Sequence, residues 1–399
     1  MHLLKSRGSV FGGTLLIAAT TIGVGMLALP IATGGGGFFP AISIYLVCWL
    51  FMLCTGLLLL EVCLWLPKDA NLISMAGKLL GPIGQGVCWI VYLFLFITVM
   101  IAHVAGGGEI LQSILGIESH YASAILYVLV FSPIVYLGTT SVNRLNTILF
   151  AGVILTYLLF IIFSHSHTDF SLLKRMDWPK AILAIPVLFT AFTYQVIIPT
   201  LTTYLERDVK KIRLTIFLGT TIPLVVYLIW ETLILSIIPY EGLTQALLLG
   251  QNAVQPLQTI TGNSTLYQVG KAFAFFTLTT SYIALALAFI DFLADGLKMK
   301  KKGVNKIILC LLVFVPPTLI SISYPHIFLI ALSYAGGYSC AILFGLFPPL
   351  MAWVGRYHRK HISERRQLFG GKPLLATLIF FVTLEILIQI FNSHLSRIL

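Results

Sequence analysis

The first membrane-length apolar run of this chain is interrupted from within. Residues 19–30 read Ala-Thr-Thr-Ile-Gly-Val-Gly-Met-Leu-Ala-Leu-Pro, which sets Gly23, Gly25 and Pro30 inside a stretch otherwise suited to a bilayer. Relative to alanine, glycine costs about 1 kcal/mol and proline about 3 kcal/mol in a helix interior. Loosened backbone at membrane depth is tolerated only where protein buries it or a cavity receives it. A simple anchor has no use for such an interruption. Broken helices of this kind build the substrate sites of many secondary transporters, so the sequence points first to a transporter.

Of the 399 residues, 58% are hydrophobic and 10% charged, against roughly 25% charged in an average soluble domain. Eleven runs approach the about 20 residues a bilayer requires, centred near Met26, Leu53, Ile97, Leu129, Leu155, Ala191, Val226, Ala284, Val313, Ala341 and Phe380. The longest polar stretches, around 239–268 and 355–372, are too short for a soluble domain. One all-α membrane unit is expected. Lys5 and Arg7 precede a span that carries the interruption itself, with no small-residue cleavage site after it, so a cleavable signal is not expected.

A net charge of +11 raises the question of an acidic partner. With a cytoplasmic N-terminus, twenty of the 25 Lys and Arg fall in cytoplasmic segments and five outside, which is the positive-inside skew of a membrane protein. The lipid bilayer explains the charge, and no nucleic-acid partner is expected. An odd number of spans places the C-terminus on the periplasmic side. All six cysteines (Cys48, Cys54, Cys63, Cys88, Cys310, Cys340) fall in predicted spans without C-x-x-C spacing and read as small apolar residues. His165 and His167 supply too few ligands for a metal site.

The interruption has a counterpart. Span six, about 181–204, carries Pro186 and then Phe192-Thr193-Tyr194-Gln195, and meets Pro199 five residues after Tyr194, as span one meets Pro30 five residues after Gly25. Spans one and six open successive groups of five, about 9–164 and 181–351, with a peripheral helix at about 373–392. Because five is odd, the second group enters the membrane from the opposite face. Two discontinuous helices then face each other at the midplane of an inverted repeat.

A set of motifs recurs in order along the chain: Thr21-Ile22-Gly23-Val24-Gly25-Met26 with Leu29-Pro30, Leu60-Glu61, Asp291-Phe292-Leu293-Ala294-Asp295, Pro316-Pro317, Tyr334-Ala335-Gly336 and Gly370-Gly371-Lys372-Pro373. In these motifs the chain resembles the bacterial aromatic amino-acid permeases, the tyrosine and tryptophan transporters of the hydroxy/aromatic amino-acid permease family. The resemblance covers essentially the whole chain. It implies a LeuT-type fold of five plus five inverted repeats and secondary active uptake, usually driven by protons. One departure stands out. Relatives often carry Gly-Tyr-His in the span-six break, with Asn two residues on, where this chain has Thr193-Tyr194-Gln195 and Ile197. The missing histidine removes a titratable group from a place where proton coupling could use it.

A zwitterionic amino acid presents a carboxylate and an ammonium, both costly to desolvate. Unwound backbone offers N–H groups at a half-helix start for the first and carbonyls for the second. Gly23, Val24 and Gly25 fit the carboxylate; the carbonyls of Ala19, Thr20, Phe192 and Thr193 fit the ammonium. The competing reading is a glycine pair that only packs or kinks. An aromatic side chain needs an apolar slot with a polar end, for which Phe192, Tyr194, Gln195 and His103 are candidate walls; His103 also reads as a hydrogen-bonded core residue. The resemblance suggests Thr280 and Ser281 for sodium, although such hydroxyls also bond back to their own helix.

Buried carboxylates are the other coupling candidates, since a mid-membrane charge costs roughly 2.5–3.5 kcal/mol on insertion scales. Glu61, Glu109, Glu231 and Glu385 lie in predicted spans. Glu61 sits near the cytoplasmic end and also suits a structural salt bridge; Glu385, in the peripheral helix, has no assigned role. Asp291 and Asp295 share a helical face above the lysine-rich 298–302 segment and read as gate candidates or as a topology anchor.

The expectation is an eleven-span inner-membrane symporter that imports tyrosine or tryptophan by alternating access, with no cofactor and no covalent step. The coupling ion is expected to be H+, with Na+ as the alternative. The rivals are a sodium-coupled carrier of other neutral amino acids on the same fold, a channel, and an intramembrane enzyme. The last lacks any G-x-S-x-G or H-E-x-x-H signature here.

Overall fold

Away from water, every backbone N–H of an apolar run must find its acceptor within the run, so the runs form helices. The computed structural model describes residues 8–68, 70–262, 264–359 and 366–395. Among the basic residues counted above, Lys5, Arg7, Lys360, Arg365 and Arg397 lie outside the described residues.

Span one consists of α1 (Val10–Thr21) and α2 (Val24–Gly34), which meet at 56°. Ser9 caps α1 by accepting the Gly12 N–H at 3.0 Å, satisfying one of the donors a helix start leaves free. Spans two to five are α3 (Phe38–Trp65), α4 (Leu72–Leu115), α5 (His120–Leu137) and α6 (Thr139–Ser164). After the short α7 (Trp178–Ile182), span six is divided into α8 (Ile185–Ala191) and α9 (Ile198–Tyr204). Span seven is α10 (Val209–Ile237). The polar stretch that follows is folded as two helices, α11 (Tyr240–Leu248) and α12 (Gln255–Thr261). Spans eight and nine are α13 (Thr265–Gly296) and α14 (Gly303–Ser323). Span ten runs from α15 (Ile327–Tyr334) through a π-helical segment, Ala335–Leu346, into α16 (Phe347–Trp353), and α17 (Gly371–Leu395) is span eleven. The membrane face where α1 begins is called the N-face below, and its opposite the far face.

The repeat is visible in who packs on whom. Span one packs on span seven and span six on span two; span five packs on eight and ten on three; span three packs on nine and eight on four. Each pair becomes the next when a span is exchanged for its mate five places along. This is the relation a two-fold inverted repeat requires.

The symmetry fails where function needs it to. On the far-face side, α8 is packed onto span ten. A Cβ at Gly336 would overlap the Pro186 carbonyl, and Thr190 Oγ1 donates to the Leu332 carbonyl at 2.9 Å. Its mate α1 rests on span seven, with Gly219 against Ile17 and Gly13 against Thr215, and has no comparable packing on span five. The other side of α1 is open: Phe11, Leu15 and Leu16 are 74%, 46% and 41% exposed, and Ala19 and Thr20 continue that exposed face. The half-helix α8 is thus packed against span ten on the far-face side, while α1 lacks the matching contact on the N-face side.

A polar seal completes the far-face closure. The Ala253 N–H donates to the Leu27 carbonyl at 2.9 Å, and the Asp177 N–H to the Gly36 carbonyl at 2.8 Å. The Arg175 guanidinium lies 3.2 Å from the centroid of the Tyr240 ring, and Lys180 Nζ donates to Tyr240 Oη at 3.1 Å. The Lys180 hydrogen bond, with smaller help from Thr244 and Arg175, pulls the Tyr240 phenol down to about 8.

Candidate functional site

The two breaks face each other. The Ile22 N–H still bonds the Ala18 carbonyl at 2.9 Å, and there the α1 ladder stops. Neither Gly23, Val24 nor Gly25 gives its N–H to an acceptor among the described residues, so the carbonyls of Ala19 and Thr20 go unused by the helix. These N–H groups lie at the positive end of the α2 dipole. Across from them, the carbonyls of Phe192 and Thr193 accept no backbone hydrogen bond within the span-six break. Gly25 explains the closeness: a Cβ there would lie 2.8 Å from both Cα and Cβ of Ala191.

Tyr227 of span seven ties the breaks together. Its hydroxyl lies 2.7 Å from the Thr21 carbonyl and 3.0 Å from that of Ala191, the last residues of α1 and α8. Leaving such a buried carbonyl without a donor costs about 1–3 kcal/mol. Phe192 packs edge-on between Tyr45 and Tyr227, with ring centroids 6.1 Å and 5.3 Å away. Sequence reasoning missed Tyr227, because Leu-Val-Val-Tyr-Leu-Ile reads as ordinary apolar helix until spans one, six and seven are brought together.

His103 and Ser281, weighed separately as a substrate wall and a sodium ligand, are one pair. His103 Nε2 lies 2.9 Å from Ser281 Oγ, while its Nδ1 is held 2.7 Å from the Val99 carbonyl. A Cβ on Gly23 would sit 3.4 Å from Ser281 Cβ, which brings the pair to the edge of the span-one break. Thr280 Oγ1 donates to the Phe276 carbonyl at 2.7 Å, and Ser281 Oγ also lies 2.7 Å from the Thr277 carbonyl. Val24 is buried at the start of α2, and Thr193 is half-buried with its hydroxyl on the Phe189 carbonyl at 2.7 Å.

Tyr194 and Gln195, expected among the walls, turn away to span two. Tyr194 Oη donates to the Met52 carbonyl at 3.2 Å; Gln195 Nε2 reaches the same carbonyl at 3.3 Å and Thr55 Oγ1 at 3.3 Å. The physical reason is the break itself. It strands the Tyr194 N–H, and Gln195 Oε1 accepts it at 3.0 Å, so the amide repairs the backbone that lost its helix.

The acidic candidates separate as well. Glu61 is fully buried and accepts from Arg356 Nε and Nη2, each at 2.7 Å, and from the Gln367 N–H at 2.8 Å. It is a structural clamp between span two, span ten and the segment before span eleven. Glu231 accepts from Thr33 at 2.5 Å and Tyr45 at 2.7 Å, joining spans one, two and seven on the far-face side of the breaks. Glu109 lies near the far-face end of span three beside Gln255 of α12. Asp291 pairs at 2.8 Å with Lys301 of the segment after its own helix, and Asp295 makes no side-chain bond to another span among the described residues. The gate network is therefore not formed in this conformation.

Paired broken helices with free backbone groups between them, on an inverted repeat, define a polytopic membrane transporter. Comparison with known proteins supplies the particular kind. The sequence model of the tryptophan/tyrosine permease family matches residues 6–389, and the chain belongs to that family. The Tyrosine-specific transport system 2 of Haemophilus influenzae is 30% identical over 374 residues, covering 91% of each chain. The Tryptophan-specific transport protein of Pseudomonas aeruginosa is 28% identical over 394 residues, 94% of this chain and 93% of its own. Among solved structures, MhsT in complex with L-phenylalanine superposes with a TM-score of 0.62 at 16% identity, covering 98% of this chain and 99% of that one. The fold is thus the LeuT type, and the protein is a transporter and not an enzyme.

Proposed function

We propose that this protein imports tryptophan or tyrosine across the bacterial inner membrane by proton-coupled symport. The observation that carries the reading is the facing pair of breaks. The Val24 and Gly25 N–H groups would receive the substrate carboxylate, and the carbonyls of Ala19, Thr20, Phe192 and Thr193 its ammonium. The His103–Ser281 pair would meet the polar end of a phenol or indole. Family membership and relatives named for tyrosine and tryptophan support an aromatic substrate.

Sixteen of the described Lys and Arg lie on the N-face and four on the far face, which favours a cytoplasmic N-face and a periplasmic C-terminus. The resemblance to the aromatic amino-acid permeases, whose uptake is usually driven by protons, favours protons over sodium. The test is uptake of labelled tryptophan and tyrosine into proteoliposomes, competed by a panel including glutamine and small neutral amino acids, under imposed proton or sodium gradients. Accumulation of the aromatic pair in sodium-free buffer supports the reading. Uptake only with sodium at clamped pH overturns the coupling, and competition by small neutral amino acids alone overturns the substrate.

A further inference from the structure

Glu385 takes no part in the site described above. It lies near the middle of the 25-residue α17 and is 3% exposed. Its helix face is packed into the protein: Phe381 lies 4.9 Å from Phe51 of span two and 6.3 Å from Phe189 of α8, and Gln389 covers Gly337 of the π-helical segment. Glu385 faces Cys48 of span two and Cys340 of span ten. Neither of its oxygens has a hydrogen-bond partner among the described residues. Here it differs from Glu61, which is ion-paired, and from Glu231, which accepts from two hydroxyls.

An ionised carboxylate buried without donor or counter-charge costs several kcal/mol, a cost the neutral acid avoids. This conformation therefore accepts Glu385 only with its proton on. The wall of its pocket is also the contact that closes the far face. Cys340 adjoins Thr190 and Thr193 of span six, and its π-helical segment carries Gly336, the point where span ten meets the Pro186 carbonyl. π-Helical turns occur frequently at functional sites.

We propose that Glu385 is the proton-binding carboxylate that makes closure of the far face conditional on protonation. When α8 and span ten separate, water from the far face reaches the carboxylate and supplies its proton; closure carries that proton inward, and its loss to water on the N-face leaves an ionised group the closed form does not hold, so the far face reopens. The other ionisable groups around it are few. Cys48 and Cys340 face it, while Tyr334 and Tyr338 of span ten contact each other at 5.6 Å. Neither α8 nor α16 contains an ionisable side chain, and Lys372 is the only other one among the described side chains of α17, at its N-face end.

This proposal rests on proton-coupled aromatic uptake, and the experiment keeps the two apart. Full-length protein in proteoliposomes is assayed for tryptophan exchange without a gradient, and for uptake driven by an inward pH gradient in sodium-free buffer. Wild-type exchange reports the transport reading by itself; wild-type indifference to the pH gradient overturns the proton-site assignment. E385Q keeps the shape and removes the proton site. It is expected to retain wild-type exchange and to lose the gradient response completely. Gradient-driven accumulation by E385Q at the wild-type level overturns the proposal. Should E385Q lose exchange too, E385D decides: gradient-driven uptake with a displaced pH profile supports the assignment, whereas a wild-type profile or no uptake contradicts it.

Discussion

Gly25→Ala and Gly23→Ala alter the same break two positions apart, yet the structure predicts opposite outcomes. At Gly25 the new Cβ would lie 2.8 Å from Ala191 Cα and Cβ and 3.3 Å from its backbone nitrogen. Backbone atoms cannot rotate out of the way, so α2 and α8 must move apart. Overpacking of this kind costs about 1–3 kcal/mol, and it falls on the conformation in which the two half-helices touch. An equilibrium biased by that amount shifts roughly 5- to 150-fold. Uptake is expected to fall by that order, with a lowered melting temperature and protein still in the membrane. At Gly23 the new Cβ would meet Ser281 Cβ at 3.4 Å and Oγ at 3.6 Å, which is ordinary contact, and φ of −161° suits any residue. Gly23→Ala should melt like wild type and raise KM, because its methyl occupies the approach to the His103–Ser281 pair. Thermal melting of purified protein and uptake kinetics separate the cases. Wild-type melting and uptake by Gly25→Ala, or the larger loss of stability in Gly23→Ala, would refute the reasoning.

Glu61→Leu or Arg356→Met alone should destabilise the protein by about 3–5 kcal/mol, because each leaves a buried charge unpaired, and the double variant should recover most of the loss; additive losses in denaturation midpoints would contradict the clamp. Tyr227→Phe removes the hydroxyl shared by the Thr21 and Ala191 carbonyls and should slow uptake at unchanged protein level, an effect of about 1–3 kcal/mol; an unchanged maximal rate would detach Tyr227 from the breaks. The Tyr240 phenol is held at about 8, below its ordinary value, chiefly by the Lys180 hydrogen bond. Its phenolate contacts are therefore complete above the ordinary phenol value of about 10 and fade as pH falls through the folded one. Spectrophotometric titration should show one early phenolate component that Tyr240→Phe removes, and its persistence in that variant would dissolve the link.

The spans, both breaks and the order of repeats were legible in the sequence because each rests on local chemistry: apolar runs long enough for a bilayer, and Gly23, Gly25, Pro30, Pro186 and Pro199 where a helix should be intact. The partners of the break residues were not legible. Gln195 looked like a substrate ligand because a polar amide at membrane depth needs a use, but its use is the stranded Tyr194 N–H and span two. Gly25 was readable as a position in the break, but not the partner that needs its missing side chain, Ala191 of α8. His103 and Ser281 stand 178 residues apart, and only the pairing of spans three and eight joins them. Glu61 was readable as a salt bridge, but Arg356, its partner 295 residues away, was not. Long-range pairing in a membrane bundle depends on which small residues let helices approach, and that information is spread over all the spans.

An experimental structure of the purified protein with tryptophan or tyrosine bound tests most directly whether the two breaks hold the substrate. Ligand density is predicted between Gly23 and Phe192, with the carboxylate within hydrogen-bond distance of the Val24 and Gly25 N–H groups and the ring directed to His103. Density lying only at the far face beside Arg175 and Tyr240, or against Gln195 and Met52, would contradict that assignment.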